Sequence, residues 1–301
     1  MENVKIIDVS LRDGLQNDPK IIDLLEKEQL ISLLVDAGIK SLEVTSFVHP
    51  LKVPQMADAS EVMEAVSKYS DIEKIALIPN QVGFQRALKS NLQELNWVSA
   101  ATEQFNQINI GVSIEENFHQ LGRIMHEAKE KEIKINFSLA VSFGCPYEGD
   151  VDEDHVVNLV KRAANLGVDR ITIADTIGIA TPNQVTSLMS KILQEIVDIP
   201  IGIHLHDTRG LGLANAYAAY LAGIRLFETA VSGIGGCPFA PGAAGNLATE
   251  DLVYLFHRMG VTTGIDFKKL LKAADYAASL SSKNPLGRIR HVEKSIKEEI
   301  R

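Results

Sequence analysis

The chain has 301 residues, 46% of them apolar and 23% charged, which is ample material for a core in one large α/β domain. A formal net charge of −9 excludes non-specific binding to nucleic acid or to an anionic membrane, though not a local basic pocket for an anionic ligand. Two cysteines without a CxxC pair, no signal peptide and no apolar run of about 20 residues predict a cytoplasmic protein without disulfides.

In chain order, short β-branched runs predict eight strands. VKIIDVS (4–10), SLEVTSF (41–47), EKIALI (73–78) and LNWVSAA (95–101) come first. KINFSLAVS (134–142), RITIA (170–174), PIGIHLH (200–206) and RLFETAV (225–231) follow. Between them lie segments with helical spacing, among them IIDLLEKEQLISLLVDAG and TPNQVTSLMSKILQEI. The second predicts Thr181 as N-cap and Pro182 at the first helical position. Gly38, Gly167 and Gly223 each close a helix shortly before a strand, a place suited to a left-handed residue.

Strands alternating with helices predict a (β/α)8 TIM barrel, because parallel neighbours need helical crossovers. The rival, an open doubly wound sheet, would carry a GxGxxG turn after an early strand, and none is present there. No linker or low-complexity tract divides the chain. Residues 1–301 are therefore expected to form a single catalytic domain, with the last ~69 residues closing and capping the barrel.

Barrel enzymes carry their chemistry at the C-terminal ends of the strands. Here those ends read Arg12-Asp13, then Glu43 with Thr45-Ser46, then Asp175-Thr176, then His204 and His206, with Asn246 in the loop after the eighth strand. His204 and His206 lie two apart in a strand and so face one side. Buried in a core, each would need a polar partner; facing a site, they form half of a metal cluster with carboxylate and amide ligands. The convergence of the other strand ends favours the metal.

RDGLQN (12–17), SLEVTSFV (41–48), GCPYEG (144–149), ADTIG (174–178), HLHDTRG (204–210) and SGIGGCPFAPGAAGNLATEDLVY (232–254) resemble the 3-hydroxy-3-methylglutaryl-CoA lyase family. Its wider group comprises divalent-metal lyases and aldol or Claisen synthases on this barrel. The resemblance spans nearly the whole chain, and the GGCP loop with GNLATEDLVY is its most specific part. It implies Asp13, His204, His206 and Asn246 as ligands of Mg²⁺ or Mn²⁺, a mixed oxygen and imidazole set that suits such an ion. It further implies Arg12 facing the reacting oxygens, with Gln16, Glu43, Asp175 and Thr176 as supporting polar groups. Gly235, Gly236 and Cys237 would belong to a mobile lid, and a homodimer is implied.

The implied reaction removes a proton from the tertiary hydroxyl, breaks the C2–C3 bond and releases acetoacetate and the enolate of acetyl-CoA. Arg12 stabilises the developing charge, and Cys237 or a histidine is a candidate acid. His204 and Asp175 join Arg12 and Cys237 as candidate catalytic residues. Each has a plainer reading: a salt-bridged turn for Arg12-Asp13, structural carboxylates for Glu43 and Asp175, a buried small hydrophobe for Cys237 and for Cys145. Two departures stand out, Ser10-Leu11 where the lyases carry Gly-Pro, and Phe239 where tyrosine is frequent. A leucine before RDG is closer to the synthases, but those carry long additional C-terminal regions. The other expectations are the same chemistry on a related acyl-CoA ester, and a binding protein on a catalytically dead barrel.

Overall fold

The computed structural model describes residues 2–236, 245–282 and 287–292. Eight parallel strands close into a barrel in sequence order: β1 (Lys5–Asp8), β2 (Ser41–Ser46), β3 (Glu73–Ile78), β4 (Glu94–Ala100), β5 (Lys134–Ala140), β6 (Arg170–Asp175), β7 (Ile201–Leu205) and β8 (Leu226–Thr229). β8 pairs back onto β1, from Lys5 opposite Leu226 to Asp8 opposite Thr229, so no edge remains. Among the described residues the helices packed around the barrel include α1 (Leu24–Asp36), α2 (Ala59–Ser67), α3 (Gln81–Ala87), α4 (Glu103–Asn109), α5 (Ile114–Glu130), α6 (Glu153–Asn165), α7 (Pro182–Glu195), α8 (Gly212–Leu221), α9 (Thr249–Arg258) and α10 (Phe267–Leu280). The expected TIM barrel is therefore the observed fold.

Local signals act as read. Thr181 caps α7 through a reciprocal capping box with Gln184, and Pro182 takes the first turn. Val185, Leu188, Met189 and Ile192 follow at helical spacing and are buried. Gly38, Gly167 and Gly223 have φ of 92°, 84° and 111°, the left-handed stop expected of them.

Strand alternation sorts the side chains into two cores. On β4, Leu95 and Trp97 are buried, and the Trp97 indole donates to Asn117 of α5 at 3.0 Å. The intervening Asn96 and Val98 line the barrel's cavity instead. The barrel's own interior is strongly polar. Glu43, Glu94, Asn96, Asn136, Ser138, Arg170, Thr172 and Glu228 are all buried. Each is hydrogen-bonded to another of the set, which offsets much of the cost of removing them from water.

α9 and the 287–292 segment meet over two carboxylates at the start of α9. Asp251 accepts the Arg288 and Ile289 amides at 2.8–3.0 Å. Glu250 Oε2 accepts the Ser232 amide at 2.8 Å, while buried Oε1 has no partner among the described residues. Burial pushes the Glu250 carboxyl up to about 8 from an ordinary 4.5. A raised folded-state value makes a contribution to stability that is complete below the unfolded value and lost as pH rises through about 8. Glu250→Gln should remove that loss, worth at most about 5 kcal/mol. Melting curves of both proteins from about pH 4 to 9 would test this: parallel pH dependence in the two across that range would refute it.

Candidate metal centre at the barrel mouth

β1 ends early because the chain winds into a π-helical turn over Ser10–Gly14, with the Asp13 and Gly14 amides both donating to Val9 O. Ser10, one of the two departures, has a structural role here: its hydroxyl accepts the Val231 amide at 2.8 Å and ties this turn to the end of β8. The turn aims Arg12 and Asp13 at the cavity. Arg12 bridges two carboxylates: Nε donates to Glu43 at 2.5 Å and Nη1 to Asp13. Glu43 also accepts from Asn96 at 2.8 Å. Burial would raise Asp13, but the Arg12 guanidinium and the two imidazoles outweigh it and hold the carboxyl well below its usual range.

His204 of β7 and His206, just past its end, face the same cavity, their ring centroids 5.1 Å apart. Their Nε2 atoms lie 4.0 and 3.5 Å from Asp13 Oδ2. Asn246 arrives from a segment stitched across the end of β7, where the Asp207 amide donates to Gly245 O and Leu247 N to Leu205 O. Its Nδ2 donates to Asp13 Oδ2 at 2.8 Å. Gly235 lies against this amide with φ 126°, and a Cβ there would stand 2.7 Å from Asn246 Nδ2, so only glycine fits.

Asp13, His204 and His206 each offer one atom within 4.8 Å of the others, a group able to hold a metal. Two features fit a divalent cation. Asn246 Oδ1 is buried with no hydrogen-bond partner among the described residues, leaving an acceptor aimed at nothing else. Four carboxylates, half-buried Asp13 and buried Glu43, Glu94 and Glu228, share the two guanidiniums of Arg12 and Arg170, an excess of negative charge that a dication offsets. Glu43 registers that excess: burial, with Glu228 nearby, pushes its carboxyl up despite Arg12.

The remaining expected residues fall into place unevenly. Gln16 lines the cavity with Oε1 buried and unpartnered among the described residues. Gly236 lines it too, and its carbonyl accepts from Asn17 at 3.1 Å. Thr176 Oγ1 accepts the Val141 amide at 2.9 Å, anchoring a β-branched residue at φ 51°, a strained turn at the site's edge. The Asp175 carboxyl is pushed up by burial and feels the His206 ring. It alternates with Ala174, which lines the cavity, and both its oxygens accept backbone amides, Ile179 at 2.9 Å and Ala180 at 3.1 Å. In this position the Asp175 carboxylate holds the turn before α7. Cys237 and Phe239 lie outside the described residues.

Two groups went unread in the sequence, Glu228 and Arg170. Glu228 stands opposite His204 in the β7–β8 register and accepts from its Nδ1 at 3.2 Å. That register was the signal, since inward positions on neighbouring strands meet. Burial works against the His204 imidazolium, but Glu228 and Asp13 outweigh it and hold its pKa above the usual value. The cavity, about 230 Å³, thus has one polar wall around Arg12, Asp13 and the histidines, and an apolar one of Val48, Val53, Leu77, Val98, Phe105 and Ile110.

Carboxylate, imidazole and amide donors gathered at the C-terminal mouth of a (β/α)8 barrel define a divalent-metal-dependent barrel enzyme. Residues 3–276 match the family model described as HMGL-like. The chain is 40% identical to the mitochondrial hydroxymethylglutaryl-CoA lyase of Rattus norvegicus over 91% of its own length and 85% of the relative's. It is 39% identical to the (R)-citramalyl-CoA lyase of Chloroflexus aurantiacus over 93% and 91%. An HMG-CoA lyase structure from Acinetobacter baumannii, in complex with coenzyme A and 3-methylmalate, superposes with a TM-score of 0.91 at 38% identity, covering 95% of this chain and 94% of that one. The chain belongs to the HMGL-like family and is a carbon–carbon lyase of that type.

Proposed function

We propose that the protein cleaves 3-hydroxy-3-methylglutaryl-CoA to acetyl-CoA and acetoacetate with Mg²⁺ or Mn²⁺ held by Asp13, His204, His206 and Asn246. The observation that carries this reading is the Asp13–His204–His206 cluster facing, with Arg12, a cavity with one polar and one apolar wall. Bound there, the dication supplies Lewis acidity, lowering the pKa of a coordinated hydroxyl. Arg12 has donors to spare for an oxygen that gains charge, and Glu43 and Asp13 fix its plane. The apolar wall excludes water from the carbanionic fragment once C2–C3 has broken. Gln16 and Thr176 support the polar side, Gly235 and Gly236 border it, and Cys237, next in the sequence, is a candidate proton donor to the enolate carbon.

The acyl-CoA ligand is supported by the coenzyme A in the Acinetobacter baumannii structure. No helix among the described residues is long and apolar enough to cross a membrane. A cytoplasmic homodimer acting in leucine degradation or ketone-body metabolism completes the reading. The citramalyl-CoA relative supports a second one, the same bond chemistry on a different 3-hydroxyacyl-CoA.

Purified protein assayed with 3-hydroxy-3-methylglutaryl-CoA should release acetoacetate. EDTA should abolish the release and added Mn²⁺ or Mg²⁺ restore it. Cleavage of citramalyl-CoA alone would overturn the substrate and keep the chemistry. Full activity in EDTA after exhaustive dialysis would overturn the metal site.

A further inference from the structure

His204 and His206 are unequal. Nδ1 of His206 is buried without a partner among the described residues, whereas Nδ1 of His204 meets Glu228 Oε2 at 3.2 Å. Glu228 is itself held from below. Its other oxygen, Oε1, accepts from Arg170 Nη1 at 2.9 Å and from Thr172 Oγ1 at 3.0 Å. Arg170 is fixed in turn by Glu94, with Nη2 to Oε1 at 2.6 Å. Glu94, Arg170, Glu228 and His204 thus form one buried chain across β4, β6, β8 and β7, running from the barrel's closed floor to its mouth.

We propose that Arg170 is a positioning residue for the metal centre: by holding Glu228 it sets the tautomer and orientation of His204, and through them the metal affinity of the site. This rests on the metal reading of the cluster. A carboxylate offers only acceptors, so the His204 Nδ1 facing it carries the proton and the lone pair of a neutral ring falls on Nε2, the atom turned toward Asp13. Without Arg170, Glu228 keeps only Thr172 on its Oε1 side and is free to swing. A buried arginine between two buried carboxylates could instead serve the fold alone. Metal affinity separates the two roles.

Mn²⁺ binding, followed by electron paramagnetic resonance on the intact protein, is the test. Arg170→Met and Glu228→Gln should each weaken Mn²⁺ binding about ten-fold or more, with their combination no weaker than Glu228→Gln alone. Lys27→Met is the control: it breaks the 2.6 Å ion pair between buried Lys27 and half-buried Asp58 outside the barrel and should lower the melting temperature without moving Mn²⁺ affinity. Arg170→Lys should recover part of the loss. Folded Arg170→Met that binds Mn²⁺ as tightly as the parent overturns the proposal while leaving the metal site standing; a parent protein that binds no Mn²⁺ fails the metal reading itself. Should the variants not fold, ¹⁵N-histidine spectra of the metal-free parent at alkaline pH decide. A proton on Nδ1 of His204 supports the proposal, and a proton on Nε2 overturns it.

Discussion

His204→Ala should lower kcat by more than about 10³-fold and weaken Mn²⁺ binding at least about 100-fold. Three effects add. The site loses one imidazole donor of its cluster. Glu228 Oε2 loses the ring it accepts from and is left a buried anion facing a hole. The methyl side chain also opens space beside Asp13, so the carboxylate's geometry is fixed only by Arg12, His206 and Asn246. The lost affinity and the lost turnover should not track each other fully: saturating Mn²⁺ recovers occupancy but not the electrostatics, so a residual deficit in kcat persists. Isothermal titration with Mn²⁺ beside turnover at saturating metal gives both numbers. Turnover equal to that of the parent would sink the assignment of His204 as a ligand. Affinity should also fall in acid, because the partners that raise the His204 pKa help a proton compete for the same nitrogen.

The fold was legible because its signals are local and repeated. Eight β-branched runs, helix caps such as Thr181 and the glycine stops at 38, 167 and 223 each act within a few residues, and the barrel follows from their alternation. The strand ends shift where a tertiary contact intervenes. β1 stops at Asp8, two residues short, because Ser10 leaves the sheet to bind the Val231 amide. The site was half legible. Asp13, His204, His206 and Asn246 lie together at the barrel mouth, while Asp175, next to the cavity-lining Ala174, spends both oxygens on backbone amides, a partnership that no sequence motif marks. Arg170 and Glu228 were missed for a different reason. A charged residue in a strand reads as a solvated face until the register puts it inside a closed barrel among partners 76 and 58 positions away.

Arg12→Lys tests the other half of the site and should give the opposite signature: kcat down about 10²–10³-fold with Mn²⁺ affinity within a few-fold of the parent. The guanidinium bridges Glu43 and Asp13 from different nitrogens, which no single ammonium can reproduce. Lysine keeps the positive charge, so neither carboxylate is stranded in the interior and the fold survives. What is lost is the fixed plane of donors and their reach to an oxygen gaining charge in the cavity, an interaction felt most in the transition state. KM should therefore change little. Asp13, partly released from its pair, is if anything a freer ligand, and so the metal stays bound while the chemistry slows. Steady-state kinetics at saturating Mn²⁺, read beside an electron paramagnetic resonance titration, separates the two. Loss of metal together with activity would reduce Arg12 to a support for Asp13, and an unchanged kcat would remove it from the reaction; only a slow enzyme with full metal places the guanidinium against the reacting oxygens.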